Sequence, residues 1–208
     1  MALGAIINAN NAGLPEDLDV TLNCRYVYRP PFQPPDVERK FGNLTLTYAA
    51  QVHVAVIEVD PETGVYEIVD YSAVDDCGKR INPQVVEGQV MGATAQAIGA
   101  ATHETFTYDE DGNLLTPNFY DYHVPHALDM PPLATGSIES PSPFTSLGTK
   151  GMGEGGGAGI HAVCAALQDA LRSRGRPIVH DSSNPYHRVW ELMSNPESSR
   201  ERVTVESK

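Results

Sequence analysis

The stretch Gly148-Thr149-Lys150-Gly151-Met152-Gly153-Glu154-Gly155-Gly156-Gly157-Ala158-Gly159 holds seven glycines in twelve positions, with one acid among them. No strand or helix interior tolerates that density, because each interior glycine costs about 1 kcal/mol against alanine in ordering entropy. The run therefore reads as a loop. The apolar spacing of Ile160, Val163, Cys164, Leu167 and Leu171 after it predicts an amphipathic helix over about 160–171. The fold must accommodate a bare backbone, able to pass close to a bulky ligand, just before a helix N-terminus. Gly151, Gly153 and Gly156 formally spell GxGxxG, but a dinucleotide fingerprint follows a strand, and here the loop Ser140-Pro141-Ser142-Pro143-Phe144 comes first. Lys150 is followed by Gly151, so the ending of a phosphate loop is missing too, and Glu154 at the mouth would repel a pyrophosphate.

Glu154 admits two readings from its spacing. A lone carboxylate near a helix N-terminus stays ionised, which is what a general base needs. The plainer alternative is an acidic first-turn residue beside a flexible connection.

A second unusual element lies upstream. After Asn82-Pro83 the pattern predicts a helix from about Gln84 to about Thr102, with apolar residues at 85, 86, 90, 91, 97 and 98. Gly88, Gly92 and Gly99 fall near one stripe of it, and Gln89 and Gln96 on the neighbouring stripe. Three helix glycines point to another backbone or a ligand coming very close.

Strands are expected at Leu44–Tyr48, His53–Val59 and Val65–Val69, the last two joined by the turn Asp60-Pro61-Glu62-Thr63-Gly64. The alternation in Val54, Val56, Glu58 and in Tyr66, Ile68 suits an antiparallel sheet with one packed face. A second hairpin is predicted across Thr105–Leu115, with Asp109-Glu110-Asp111-Gly112 as its turn, and a further strand over about 133–138. Tyr28-Arg29-Pro30-Pro31-Phe32-Gln33-Pro34-Pro35 is extended and reads as a connector laid over a surface. The reading is thus an α+β fold, a mixed, largely antiparallel sheet with two main helices. It places a connector at 1–43, the domain at 44–193 and a disordered tail at 194–208.

Composition narrows the function. With 14 Lys and Arg against 27 Asp and Glu, the net charge is −13, and no basic cluster could track a phosphate backbone. Nucleic acid is excluded as a partner, and no run approaches the roughly 20 apolar residues of a membrane span. Cys24, Cys77 and Cys164 are odd in number and widely spaced, which argues for a reducing cytoplasm and against a structural zinc site. Cys77 reads as a buried structural thiol. Asp121, His123 and His126 carry metal-ligand chemistry, but His-x-x-His around a proline suits no single helix face, so surface or subunit contacts are expected there and no metal ion.

The order of motifs is more specific than any one of them. Asp76-Cys77-Gly78-Lys79-Arg80-Ile81-Asn82-Pro83, then Glu87-Gly88-Gln89, Gly92, Gln96 and Gly99, then Asp121-Tyr122, Pro125 and Pro131, and last Leu147-Gly148 and Lys150-Gly151-Met152-Gly153-Glu154 resemble the molybdenum hydroxylase family. The likeness runs from about Leu14 to about Leu192. It is to the C-terminal part of the large, molybdopterin-binding subunit, of the aerobic carbon monoxide dehydrogenase type, related to xanthine and aldehyde oxidases.

The resemblance implies a second molybdopterin-binding domain and a role for each matching position. Glu154 matches the glutamate that takes a proton from the metal-bound hydroxyl while a small substrate is oxidised with water-derived oxygen. Gln89 matches the glutamine that contacts the pterin, with Gly88 and Gly92 allowing close approach, and Asp76, Lys150, Gly151 and Gly153 fall in segments beside the cofactor. The implied cofactor is molybdopterin cytosine dinucleotide with molybdenum, shared with the remaining large-subunit chain. Electrons would leave through 2Fe-2S clusters in an iron-sulfur subunit to FAD in a flavin subunit. Family large subunits are several times longer, so a separately encoded part of a split subunit, a proteolytic piece or an expressed fragment is expected, not active alone. The competing expectation is a non-catalytic assembly or scaffold subunit of such a complex.

Overall fold

The computed structural model describes residues 25–29, 31, 33–43, 45, 47–153, 157–175, 179 and 181–195. The chain divides into two units, Met1–Leu44 and Thr45–Lys208. In the first, β1 (Gln33–Asp36) and β2 (Phe41–Asn43) pair antiparallel, so part of the proline-rich connector is a small hairpin. Asp36 makes its turn by accepting the N–H groups of Glu38 and Arg39.

The second unit is built on a three-stranded sheet in the order β3 (Ala50–Val59), β4 (Tyr66–Asp76), β5 (Leu133–Ser137). The β3–β4 hairpin closes where expected. Asp60 donates its N–H to the Val65 carbonyl and accepts the Thr63 hydroxyl at 2.7 Å, and Gly64 takes the positive φ of 77° that the turn needs. The strands are longer than the alternation predicts, pairing from Val59↔Tyr66 to Ala50↔Asp76. A bulge between Val56 and Ile57 explains why the pattern misleads: opposite it, β4 changes phase, burying Tyr66 and Ile68 before it and Tyr71, Ala73 and Asp75 after it. β5 adds parallel to β4, from Tyr71↔Leu133 to Asp75↔Ser137, which makes the sheet mixed.

One face of the sheet is packed. It carries α1 (Pro83–Thr102) and α2 (Gly157–Ala170), the latter extended by a 3₁₀ turn, Leu171–Arg174. Asn82 caps α1 by accepting the Val85 N–H, and Pro83 stands in the first turn, where its missing N–H is not needed. The core beneath joins Ile68, Tyr71 and Ala73 to Val90, Ile98 and Ala101 of α1 and Val163 of α2. On β3 the packed side chains include Ala55 and Ile57, whereas Val52, Val54 and Val56 point to the other face and are 65%, 56% and 48% exposed.

Three sequence expectations differ. A third helix, α3 (Tyr186–Ser194), follows Pro185 and buries Val189 and Leu192 against Tyr66, Leu167 and Leu171. Residues 105–115 turn back as the expected hairpin only in minimal form, with the Tyr108↔Leu114 bridge and the Asp109 and Leu115 N–H groups donating to the Asn113 and Thr107 carbonyls, while the Asp109 carboxylate collects the N–H groups of Asp111 and Asn113 in the tight loop. Residues 45, 47 and 48, the described part of the expected first strand, lie outside any strand. Among the described residues no helix is long and apolar enough to cross a membrane.

Candidate functional site

The site is built from the turn after β4, which meets the start of the glycine run, and from α1, which lines a cleft with Gly153 and Gly157 further along that run. Gly78 has φ 64°, and a Cβ there would collide with the Gly148 carbonyl oxygen. That oxygen accepts the N–H groups of Lys79 and Ser142, while Lys150 donates its own to the Cys77 carbonyl at 2.8 Å. Gly148 also has a positive φ, 73°, and packs against Pro141. The glycine run therefore begins from a fixed backbone clasp rather than from a free loop.

Asp76 locks the clasp. Its carboxylate accepts the N–H groups of Gly78 and Ser140, the Ser140 hydroxyl and the Lys150 ammonium, the last at 3.2 Å. The Ser140 hydroxyl does most, with the two N–H groups and Lys150 adding to it, to hold this carboxyl far below the usual range. The two charged side chains are only 15% and 10% exposed. Asp76 and Lys150, both expected at the cofactor, are thus brought together and engage each other. Cys77 is buried beside them, and burial, with Asp75 next, pushes its thiol up, so it is a structural thiol.

Beyond the clasp the glycine run opens onto two clefts. Gly151 and Gly153 line one of about 480 Å³ with Thr47, Ala49, Gln51, Met152 and Ala158. Gly153 and Gly157 line another of about 250 Å³ with Ala93, Gln96, Ala97, Ala100 and Ile160. Glu154, the expected base, lies outside the described residues. Every described lining residue of both clefts is uncharged, so polar recognition there falls to amides, hydroxyls and main chain.

Of the α1 residues expected at the cofactor stripe, Gln96 lines the second cleft, whereas Gly88, Gln89 and Gly92 are not among the described lining residues of either cleft. Val90, Thr94, Ala97, Ile98 and Ala101 turn inward, which leaves Gly88, Gln89, Gly92 and Gln96 on the exposed side. The helix glycines divide by what they face. A Cβ at Gly99 would strike the Pro125 ring and the Glu104 carboxylate, and one at Gly159 would come within 2.8 Å of Ala97 and of the Tyr71 hydroxyl. At Gly88 and Gly92 a Cβ would meet nothing within 4 Å, and the same holds at Gly151, Gly153 and Gly157. Close packing within the chain accounts for the first pair only.

Sequence reasoning missed Gln51. It stands at the end of a short relay in which the half-buried His53 ring bridges the Tyr71 hydroxyl, at 2.9 Å, and the Gln51 side chain, at 3.3 Å. Burial pushes Tyr71 up to about 12, so the phenol stays neutral and holds the ring. The signal available was the inward parity of Gln51, His53 and Ala55 along one strand. Ala93 and Ala100 were equally readable, lying four and three residues from Gln96 or Ala97 on one helix face.

An exposed amide face flanked by glycines with open space above them, beside a glycine run on a rigid base, is a surface shaped for a large polar group. The chain belongs to the molybdopterin cofactor-binding domain family, whose sequence model matches residues 3–131, and is of the molybdenum hydroxylase kind. It is 39% identical over 146 residues to the nicotine 6-hydroxylase large subunit of Paenarthrobacter nicotinovorans, which is 70% of this chain and 16% of that one. With the carbon monoxide dehydrogenase large chain of Hydrogenophaga pseudoflava it shares 31% over 181 residues, 86% of this chain and 21% of the other. The crystal structure of quinoline 2-oxidoreductase from Pseudomonas putida 86 superposes with a TM-score of 0.72 at 33% identity, covering 92% of this chain and 22% of that one. The chain therefore spans about a fifth of the length of these relatives.

Proposed function

We propose that this chain supplies one wall of the cofactor site of a molybdenum hydroxylase or dehydrogenase that oxidises a small substrate, with Glu154 as its general base. The observation that carries the reading is the open stripe of α1. The Gln89 side chain has no hydrogen-bond partner among the described residues, and Gly88 and Gly92 near it leave room where a side chain would stand. This cradle fits a molybdopterin group: Gln89 offers it a donor and an acceptor without adding charge, and the main chain at Gly151 and Gly153 can approach it closely. When bound, the group supplies two-electron oxidation with oxygen taken from water.

This chain's own residues have simpler tasks. Asp76 and Lys150 act through the clasp, fixing the base of the glycine run so that Gly151 and Gly153 face the cleft. The Glu154 carboxylate, which precedes α2 in the sequence, would accept a proton from the attacking oxygen and release it to solvent. The uncharged lining suits the cytosine dinucleotide form, whose phosphates would be met by main-chain N–H groups rather than by lysines. The remaining large-subunit chain would close the other wall, and an iron-sulfur subunit and a flavin subunit would take the electrons through 2Fe-2S clusters to FAD, in the cytoplasm.

The test is made in the assembled complex. Glu154→Gln is expected to leave subunit composition and molybdenum content intact and to lower kcat by several powers of ten, roughly the cost of removing an essential base. Full activity would remove Glu154 from the mechanism. Gln89→Leu is expected to lose cofactor while the subunits still associate; unchanged cofactor content would favour a scaffold role.

A further inference from the structure

Away from this groove, past the end of α1, the structure assembles a cluster that the sequence order hides. We propose that His123, His126 and Asp129 form a binding site for one divalent transition-metal ion per chain. His126 Nδ1 lies 3.0 Å and His123 Nε2 3.4 Å from the same carboxylate oxygen of Asp129. The three ligand atoms all fall within 4.8 Å of one another. With metal–ligand bonds of about 2.0–2.1 Å, neighbouring ligand atoms stand about 2.9 Å apart in an octahedral site and about 3.4 Å apart in a tetrahedral one, so both distances already match the edge of a coordination shell.

The cluster is held from outside. Tyr122 donates its hydroxyl to Glu104 at 2.7 Å, and Pro125 packs on Gly99, which ties the His-bearing segment to the end of α1. Asp129 returns its N–H to the His126 carbonyl and accepts the His126 N–H at 2.9 Å, so the carboxylate is oriented by a main-chain donor, as outer partners orient metal ligands elsewhere. The His103 ring stands edge-on to His123, centroids 5.1 Å apart, and limits its rotation. The side chains of His123 and His126 are 46% and 60% exposed, so an ion enters from solvent. Two imidazoles and one carboxylate make a three-ligand set that leaves positions open for water, a set suited to zinc, cobalt or nickel rather than to calcium or magnesium. Asp121, the carboxylate that sequence proximity offers, is instead engaged by the Asn118 amide at 2.9 Å.

Equilibrium dialysis of the purified full chain against zinc chloride, and titration with cobalt(II) followed by its visible ligand-field absorption, test this. One ion per chain is expected, with imidazole-type cobalt bands. His123→Gln, His126→Gln and Asp129→Asn should each weaken binding at least about tenfold, the range outer-sphere partners alone reach, whereas Asp121→Asn should leave it unchanged. The two histidines are exposed and Asp129 is half-buried, and an unaltered circular dichroism spectrum would show each variant folded. Absence of stoichiometric binding, binding retained in the His123→Gln/His126→Gln double variant, or dependence on Asp121 rather than Asp129 would overturn the site.

Discussion

The two ends of α1 obey different rules. At its C-terminal end every feature has a partner inside the chain: Gly99 is pressed by Pro125, and Ala101 gives its carbonyl to both the N–H and the side-chain amide of the buried Asn184. In its N-terminal half a Cβ at Gly88 or Gly92 would meet no described atom within 4 Å, and Gln89 is exposed. The first region is complete as it stands, while the second carries the helix-weakening cost of glycine without any return from packing in this chain.

The contrast can be broken most severely at the glycines that meet backbone. Gly78→Ala and Gly64→Ala each combine a positive φ with a collision, against the Gly148 carbonyl in one case and the main chain of Tyr186 and Trp190 in the other. Each should cost about 3 kcal/mol or more, summing the left-handed penalty and overpacking, and appear as a lower midpoint in urea unfolding. Gly99→Ala should follow at about 1–3 kcal/mol, since the proline ring it meets cannot turn away.

Asp76→Asn tests the clasp. It leaves the nearly buried Lys150 ammonium without its counter-charge and should cost about 3 kcal/mol near neutral pH. The folded Asp76 carboxyl titrates below its ordinary value of 3.8, so its contribution is fully present above that value and is lost as the pH falls through the lower folded one. The stability gap between wild type and variant should therefore persist from neutral pH to about 4 and close only in stronger acid, as a pH series of unfolding curves would show.

The smallest effect has the opposite sign. Gly88→Ala and Gly92→Ala should stabilise the isolated chain by about 0.4–1 kcal/mol, because alanine favours the helix and no neighbour objects. In the assembled complex the same substitutions should lower cofactor content. Gain in one measurement with loss in the other, on a helix where Gly99→Ala loses in both, would sharpen the division; destabilisation of the isolated chain would erase it.

Much of this was legible beforehand. Asn82-Pro83 announced α1, the Asp60–Gly64 turn announced the hairpin, and the glycine run announced a loop, although its last residues, Gly157 to Gly159, already belong to α2. What was not legible depends on distance along the chain. That β5 would join parallel to β4 requires a connection of more than fifty residues to return, and nothing local records it. That Asp76 and Lys150, 74 positions apart, would be in contact with each other is recorded in neither motif. α3 was missed because its apolar positions, Val189 and Leu192, are too few to stand out until Tyr66 and Leu171 are seen beneath them. Counting glycines found the groove, but only the packing shows which of them the chain itself requires.

The valines of β3 have a practical consequence. Among the described strands β3 lies at an edge of its sheet, and Val52, Val54 and Val56 stand in a row on its exposed face. An unpaired edge with an apolar face is a template for strand addition by any extended chain, including a second copy. The charge of −13 opposes that association through long-range repulsion, and salt screens such repulsion within about 10 Å. Handling the chain alone is therefore a contest between charge and edge, and raising the ionic strength shifts it towards aggregation.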